Sequence, residues 1–371
     1  MTLRQQIEQE IHDRGPMPFS RYMEICLYDP AAGYYSRHAE QFGKAGDFYT
    51  SSDVHAVFGR LLARQFEEMW RAMGSPDEIE LLELGPGRGL FARDVLDWSR
   101  KKFPGFHSAL RYALQESSPS LRVKLAENLR EHIEAGKAAL GPSDQVIESM
   151  KITRSPDHSI TRSPLIVFAN EFFDALPVEI LSAHGKLHLG FDNGGLREIW
   201  LPPAADELEF LDRYSIHPEK GERVEVPLQG QRWMKTIADS TRYGFLIIID
   251  YGYARNEQLA GHHRGTLMAY RQHSASPDPY QAPGEQDLTT HVNFTALAAV
   301  AAEVGMNVQP LRTQSQFLMR IGEQNQFADA FEDCVLPQER AKVALQLKHL
   351  VTPAGMGENF QVLIASRGVN D

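Results

Sequence analysis

Apolar residues along this chain follow two alternating rhythms. Short runs that are apolar at most positions read as buried strands: IELLELG (79–85), LRYALQE (110–116), PLIVFANE (164–171) and YGFLIIIDYG (243–252). QVIESM (145–150) is a weaker run of the same kind. Between them, Leu90 to Lys102 and Pro119 to Ala135 carry helical spacing. Buried strands that alternate with helices predict a parallel sheet covered on both faces, an α/β doubly wound fold.

The pattern changes on either side of this region. Leu3, Ile7 and Ile11 lie four apart, which predicts a helix over 1–14 that ends at Gly15-Pro16. A second helix is expected over Phe19 to Leu27, then the turn-rich YDPAAGYYS, then a helix from Val54 to Met73 capped by Asp53. Residues 185–232 are rich in Gly, Pro and charge. They read as a β-rich insertion on the sheet, with a hairpin turning at Asn193-Gly194. Beyond residue 255 lies a polar loop region, then a helix from Phe294 to Glu303, strand-like QFLMRI, a helical stretch over 324–350 and a last strand, NFQVLIASR. The last two strands are expected to form an antiparallel edge. The division that follows is an N-terminal helical segment, 1–58, and one α/β domain, 59–371, carrying the insertion.

Composition narrows the function classes. The 371 residues are 42% hydrophobic and 23% charged, the balance of a soluble globular chain. The net charge of −11 argues against a nucleic-acid surface and suits a basic partner. No apolar run is long enough to insert in a bilayer. The N-terminus mixes acids and bases, as neither a secretory signal nor a transit peptide does. With only Cys26 and Cys334, a disulfide framework is not expected, and a cytoplasmic location is. His262-His263 is adjacent rather than at ligand spacing, so no metal site is expected.

The sharpest motif is ELGPGRGLF, Glu83 to Phe91. A strand running into glycines and then a helix lets backbone approach a ligand closely. Gly85, Gly87 and Gly89, with Pro86 among them, give G-x-G-x-G. Leu90 occupies the place of the third small residue in the dinucleotide fingerprint. With acidic Glu83 ahead of the glycines, the spacing looks like motif I of class I S-adenosylmethionine (SAM) methyltransferases. Glu83 would face the cofactor's amino group. Glu116 ends the next strand, where a carboxylate accepts from both ribose hydroxyls, with Ser117 beside it; alternatively it caps the helix after Ser117-Ser118-Pro119.

In doubly wound sheets ligands lie beyond the carboxyl ends of the strands. Asn170 is placed there to meet the cofactor, and Glu171 and Asp174 to face an acceptor. Asp250 and Tyr251 end the next strong strand, and Asp287 and His291 come from DLTTH. Each has a plainer reading. Asp174 would cap a helix starting at Ala175, Asp250 a turn with Gly252, and His291 would be a hydrogen-bonded buried histidine. Phe172 and Phe173 read as packing residues, and Tyr28, Tyr34 and Tyr35 as anchors of the N-terminal segment.

GPMPFSRYMEICLYDPAAGYYS, GDFYTSSDVHAVFG, ELGPGRG, QESSPSLR, NEFFDALPVEI, IIDYGY, EQDLTTHVNF and GMGENFQVL resemble, in order, the blocks of the MidA-like family, which includes the mitochondrial complex I assembly-factor arginine methyltransferase. The resemblance implies a class I Rossmann-like methyltransferase fold and SAM as cofactor. It also implies an arginine-bearing protein substrate such as a respiratory-complex subunit. It implies that the Gly46-to-Ser51 loop lies over the cofactor, with Gly46, Asp47, Phe48, Thr50 and Ser51 in contact. Two blocks depart from the family pattern. Ser52-Asp53 stands in place of proline and glutamate, and HHRGTLMAYRQHSASPDPY replaces a longer acidic stretch.

Methyl transfer needs a nucleophile aligned on a sulfonium carbon with water excluded. A guanidinium acceptor also needs carboxylates to hold it by bidentate hydrogen bonds. The leading expectation is a SAM-dependent protein-arginine methyltransferase. Its rivals are methylation of a small molecule or another side chain, and a SAM-binding assembly protein without turnover.

Overall fold

A computed structural model of the chain describes residues 1–37, 56–141, 164–192, 194–271, 274–276 and 278–369. The N-terminal helices are α1 (Leu3–Arg14), α2 (Phe19–Tyr28) and the short α3 (Tyr34–Arg37). Thr2 caps α1 through a reciprocal bond with Gln5, and Gly15 ends it at a φ of 85°. Helix α4 (Ala56–Ala72) then leads into the central sheet.

That sheet contains β1 (Ile79–Leu84), β2 (Leu110–Gln115), β3 (Ala138–Leu140), β4 (Leu165–Asn170), β5 (Gly244–Tyr253) and β6 (Phe360–Arg367). Their spatial order is β3-β2-β1-β4-β5-β6, parallel except for β6, which pairs antiparallel with β5. The chain winds outward from β1 in one direction and from β4 in the other. The order therefore reverses between these two neighbours, which in such sheets opens a crevice at their carboxyl ends.

Helix α5 (Leu90–Lys102) follows β1, and α6 (Pro119–Asn128) follows β2 with Ser118 as its cap. One face of the sheet is sealed by rings. Phe91 of α5 stacks on Phe168 of β4 at 4.6 Å, and Phe66 of α4 meets Phe168 edge-on at 5.5 Å. On the other face α7 (Leu228–Ser240) and α8 (Phe294–Glu303) cover β4 and β5 through Trp233, Met234, Ile237, Phe294 and Leu297.

A second, antiparallel sheet forms from Glu179–Ser182, Gly185–Asp192, Gly195–Leu201 and Arg223–Val226. Its fifth member is Met17–Pro18, which pairs with Leu189 and His188. The N-terminal helices share one core with it: Leu3, Ile7, Phe19, Tyr22 and Met23 pack with Val178, Ile180, Leu187, Leu189 and Leu288. This joint core carries α2 and α3 to the mouth of the crevice.

Several expectations change. QFLMRI is helical within Gln314–Glu323, not a strand, because Thr313 and Gln316 cap each other and Phe317, Leu318 and Ile321 bury one helical face. The antiparallel edge therefore has one long strand, with two-residue pieces at Asn307–Val308 and Arg312–Thr313. The helical stretch over 324–350 divides into Ala328–Phe331 and Pro337–Val351. The helix expected over Pro119 to Ala135 breaks at Leu129. No helix starts at Ala175, so Asp174 is not a helix cap; residues 171–178 turn directly toward Glu179–Ser182. Asp53, Asn193 and QVIESM lie outside the described residues.

Leu187 is fully buried where the N-terminal helices meet the second sheet. Leu187→Ala is expected to lower unfolding stability by about 2–5 kcal/mol, the range for truncating a packed leucine. Denaturant titration measures this, and hydrogen exchange should show α1 and α2 losing protection with it.

Candidate active site

Three left-handed glycines shape the turn after β1: Gly85 (φ 65°), Gly87 (φ 55°) and Gly89 (φ 73°). A side chain is strained in this region, but the three serve different ends. A Cβ on Gly87 would meet no protein atom within 4 Å, so its absence leaves open space. A Cβ on Gly89 would press to 3.0 Å on Leu129 and 3.2 Å on Leu125. Gly89 thus allows α5 to approach the leucines after β2.

The turn after β4 is built around Asp250. Glu171 adopts a φ of 51° while its N–H still reaches the Ile249 carbonyl at 3.0 Å. That left-handed step costs of order 1–2 kcal/mol for a residue with a side chain. It bends the chain so that three successive N–H groups, from Phe172, Phe173 and Asp174, donate to Asp250 Oδ2 at 3.1, 2.9 and 3.3 Å. The Tyr251 N–H donates to Oδ1 at 2.8 Å. Such a concave run of amides is an anion-binding nest, filled here by a side chain of the neighbouring strand.

Between these two turns lies a cleft of about 760 Å³. Of the residues expected from sequence, Glu83, Gly85, Pro86, Gly87, Glu116, Ser117, Asn170, Glu171, Asp174 and Asp287 line it. Four do not. Gly89 is a packing glycine. Asp250 is fully buried behind the turn it holds. Tyr251 packs on Phe360, with ring centroids 3.9 Å apart. His291 points to His263, the two Nδ1 atoms 2.9 Å apart, and its backbone N–H is held by Thr266 Oγ1. Burial first, and His263 second, lower its pKa to about 4, so it is a neutral packed histidine away from the cleft. Gly46, Asp47, Phe48, Thr50 and Ser51 lie outside the described residues.

Sequence reasoning missed part of the wall. Glu24 and Tyr28 of α2, Tyr35 of α3, Arg122, Gln229 and Trp233 also line the cleft. The two tyrosines anchor their segment and form the wall at once. Tyr28 donates to the Ala175 carbonyl at 2.9 Å, and Tyr35 to Asp287 Oδ1 at 3.0 Å. The cluster of tyrosines in YDPAAGYYS was the available signal. Phe173 is packed in the core, whereas Phe172 faces the cleft edge-on to Trp233 at 5.3 Å.

Acidic side chains dominate the cleft. Six carboxylates line it, Glu24, Glu83, Glu116, Glu171, Asp174 and Asp287, against two arginines, Arg88 and Arg122. Burial pushes Glu83 up to about 8, although Tyr112 donates to its Oε2 at 2.8 Å. Burial pushes Glu116 up to about 7, opposed by the N–H groups of Ser118 at 2.8 Å and Gly87 at 3.1 Å. Asn170 gives its amide N–H to Glu171 at 3.0 Å. Its Oδ1, like Asp174 Oδ1, is buried without a hydrogen-bond partner. Two orphaned acceptor oxygens in an acidic cleft are suited to a cationic ligand rich in N–H donors. Among the described residues, no group of three or more His, Cys, Asp or Glu side chains could hold a metal ion.

A carboxyl whose pKa rises on folding penalises the fold as pH climbs above its unfolded value, until the folded value is passed. For Glu83 that window runs from its usual 4.5 to about 8. The ligand-free protein should therefore lose stability across this range, and Glu83→Gln should flatten the loss. Thermal midpoints at stepped pH measure it; an unchanged slope would show that Glu83 is not held neutral.

Comparison with known proteins agrees with this geometry. A family model described as "putative S-adenosyl-L-methionine-dependent methyltransferase" matches residues 61–311. The mitochondrial protein arginine methyltransferase NDUFAF7 homolog of Drosophila melanogaster is 31% identical, over 99% of this chain and 85% of its own. The human protein arginine methyltransferase NDUFAF7, also mitochondrial, is 26% identical over 95% of this chain and 81% of its own. A COG1565 superfamily member from Burkholderia thailandensis, crystallised with S-adenosyl-homocysteine, superposes with a TM-score of 0.80 at 26% identity, covering 100% of this chain and 92% of that one. The location expected from sequence is corrected: relatives matching nearly the whole chain are named mitochondrial, so the cytoplasmic reading is withdrawn. With the glycine turn, the carboxylate after β2 and the near-complete match in sequence and fold, the chain belongs to this family of S-adenosyl-L-methionine-dependent methyltransferases.

Proposed function

We propose that this methyltransferase acts on an arginine side chain of a protein, and that the cleft between β1 and β4 holds both cofactor and acceptor. The observation that carries the reading is the excess of acidic side chains lining the cleft, with two buried acceptor oxygens left without donors. A guanidinium is permanently charged, planar and rich in N–H donors, so it answers both features. The relatives named protein arginine methyltransferases support the same acceptor.

The bound cofactor supplies a methyl group on a positively charged sulfur. The residues that would hold it are those of the two glycine-side strands. The open space at Gly87 leaves room for it beside the backbone. Glu116 is the candidate partner for its ribose hydroxyls, and Glu83 and Asn170 Oδ1 for its amino group. Glu171, Asp174 and Asp287 form the acceptor half, walled by Tyr28 and Tyr35. Their carboxylates localise charge on the guanidinium nitrogens that they bind, which leaves the remaining nitrogen the better nucleophile. The aromatic wall excludes water from the transfer. The respiratory-complex subunit suggested by the family resemblance is the first protein acceptor to try.

Incubation with methyl-labelled SAM and a lysate from a strain lacking the protein should yield a labelled polypeptide whose acid hydrolysate contains methylarginine. Label found only in another amino acid or a small molecule would overturn the arginine assignment. Glu116→Ala should weaken S-adenosylhomocysteine binding about 10- to 100-fold in calorimetry, the loss of a charge-assisted pair of hydrogen bonds. Glu171→Ala should lower turnover while leaving that binding intact, and unchanged turnover would remove Glu171 from the acceptor site.

A further inference from the structure

We infer that Asp174 is the proton acceptor of the transfer: its buried, unpartnered Oδ1 takes the proton that the acceptor nitrogen gives up as it is methylated. This rests on the arginine reading above and adds a role that neither the family match nor the fold assigns.

Two buried carboxyls meet at one turn. Asp250 is fully buried and Asp174 is 6% exposed. Two neighbouring carboxyls away from water do not both ionise readily. Their hydrogen bonds decide which one holds the charge. Asp250 accepts four backbone N–H groups, all of which favour its ionised form. Asp174 Oδ1 accepts none. Burial raises Asp250 as well, to about 7, but its amide donors make it the more readily ionised of the two, and Asp174 the one that holds its proton more tightly.

The surroundings of Asp174 reinforce this. After burial, the strongest influences on it are Asp250 from β5, Glu171 from its own turn and Asp287 from Asp287–Thr289, all acidic. Its own neighbour's N–H, at Ala175, opposes them only in part. The phenols of Tyr28 and Tyr35, from α2 and α3, share the same acidic surroundings, and burial keeps both neutral. The other acceptor-side carboxylates already have donors: Asp287 Oδ1 takes the Tyr35 hydroxyl, and Glu171 Oε1 takes the Asn170 amide. Asp174 lines the same cleft, and its Oδ1 is a buried carboxylate oxygen without a hydrogen-bond partner.

An entering guanidinium favours the ionised form of Asp174, which releases its proton to solvent. The guanidinium nitrogen then uses its electron pair to form the N–CH3 bond as the C–S bond breaks, with that bond's pair remaining on sulfur. The nitrogen loses one proton to Asp174 Oδ1. The sulfonium ends as a neutral thioether, the methylated guanidinium keeps a single positive charge, and Asp174 ends as a neutral acid. Its high proton affinity, a product of burial among carboxylates, makes it a stronger base than an exposed aspartate.

The test uses the full chain saturated with S-adenosylhomocysteine, in wild-type, Asp174→Asn and Asp174→Glu forms. Carbon-13 NMR of labelled aspartate carboxyls identifies the Asp174 signal by its loss in the variants. The signal should titrate well above the usual 3.8. Titration at the ordinary value overturns the proposal. In the methylarginine assay, Asp174→Asn should bind S-adenosylhomocysteine like wild type and lose roughly 10²- to 10⁴-fold in rate. It should also lack the wild-type fall in rate at low pH, because the acceptor carboxyl has to be ionised. Asp174→Glu should recover part of the rate and of the pH dependence, and it serves as the folding control. A rate for Asp174→Asn near wild type, with the same pH profile, overturns the role of Asp174 and leaves the arginine reading intact. Wild-type product without methylarginine overturns that reading but not the protonated state of Asp174.

Discussion

The carboxylate of Asp250 is the constraint on which the site depends. It lies at the end of a central strand, fully buried, where an isolated charge would be very costly. Four backbone amides from two chain segments offset that cost. In return it fixes the turn after β4, including the left-handed step at Glu171. Asn170, Glu171 and Asp174 therefore project from a backbone that is locked, as a site aligning two reactants requires.

A second consequence follows from the acid that Asp250 leaves unpaired. The cleft concentrates carboxyl groups in a low-dielectric space, which raises their pKa values and costs the fold stability as pH rises toward those values. The same arrangement makes a positively charged ligand the natural complement. Carboxyls with raised pKa values gathered in one cleft are the kind of perturbed groups that mark functional sites. The N-terminal segment belongs to this design. Its core is shared with the second sheet, and two of its tyrosines donate to residues that line the cleft.

The main sheet was legible in the chain because its signals are local. Near-continuous apolar runs at 79–85, 110–116, 164–171 and 243–252 became β1, β2, β4 and β5, and the helix Leu90–Lys102 has the same limits in both readings. QFLMRI misled because a short apolar run fits either period; the capping pair at Thr313 and Gln316 decided for helix. The glycine turn and the acids Glu83 and Glu116 were legible for the same local reason, since all follow directly from strand ends.

What the sequence by itself determined is therefore the frame: a doubly wound sheet, a glycine turn with an acid on each side, and a polar end to the strand at Asn170. Tertiary structure alone decided which acids line the cleft and which hold its turns. Asp174 and Asp250 look alike in the sequence, each following an apolar run. Their surroundings diverge: four amides converge on one and none on Oδ1 of the other. His291 and Asp287 come from one short segment, yet one faces the cleft and the other turns to His263. A side chain's charge state and direction are set by groups brought near it from distant segments, and periodicity along the chain carries no record of that approach.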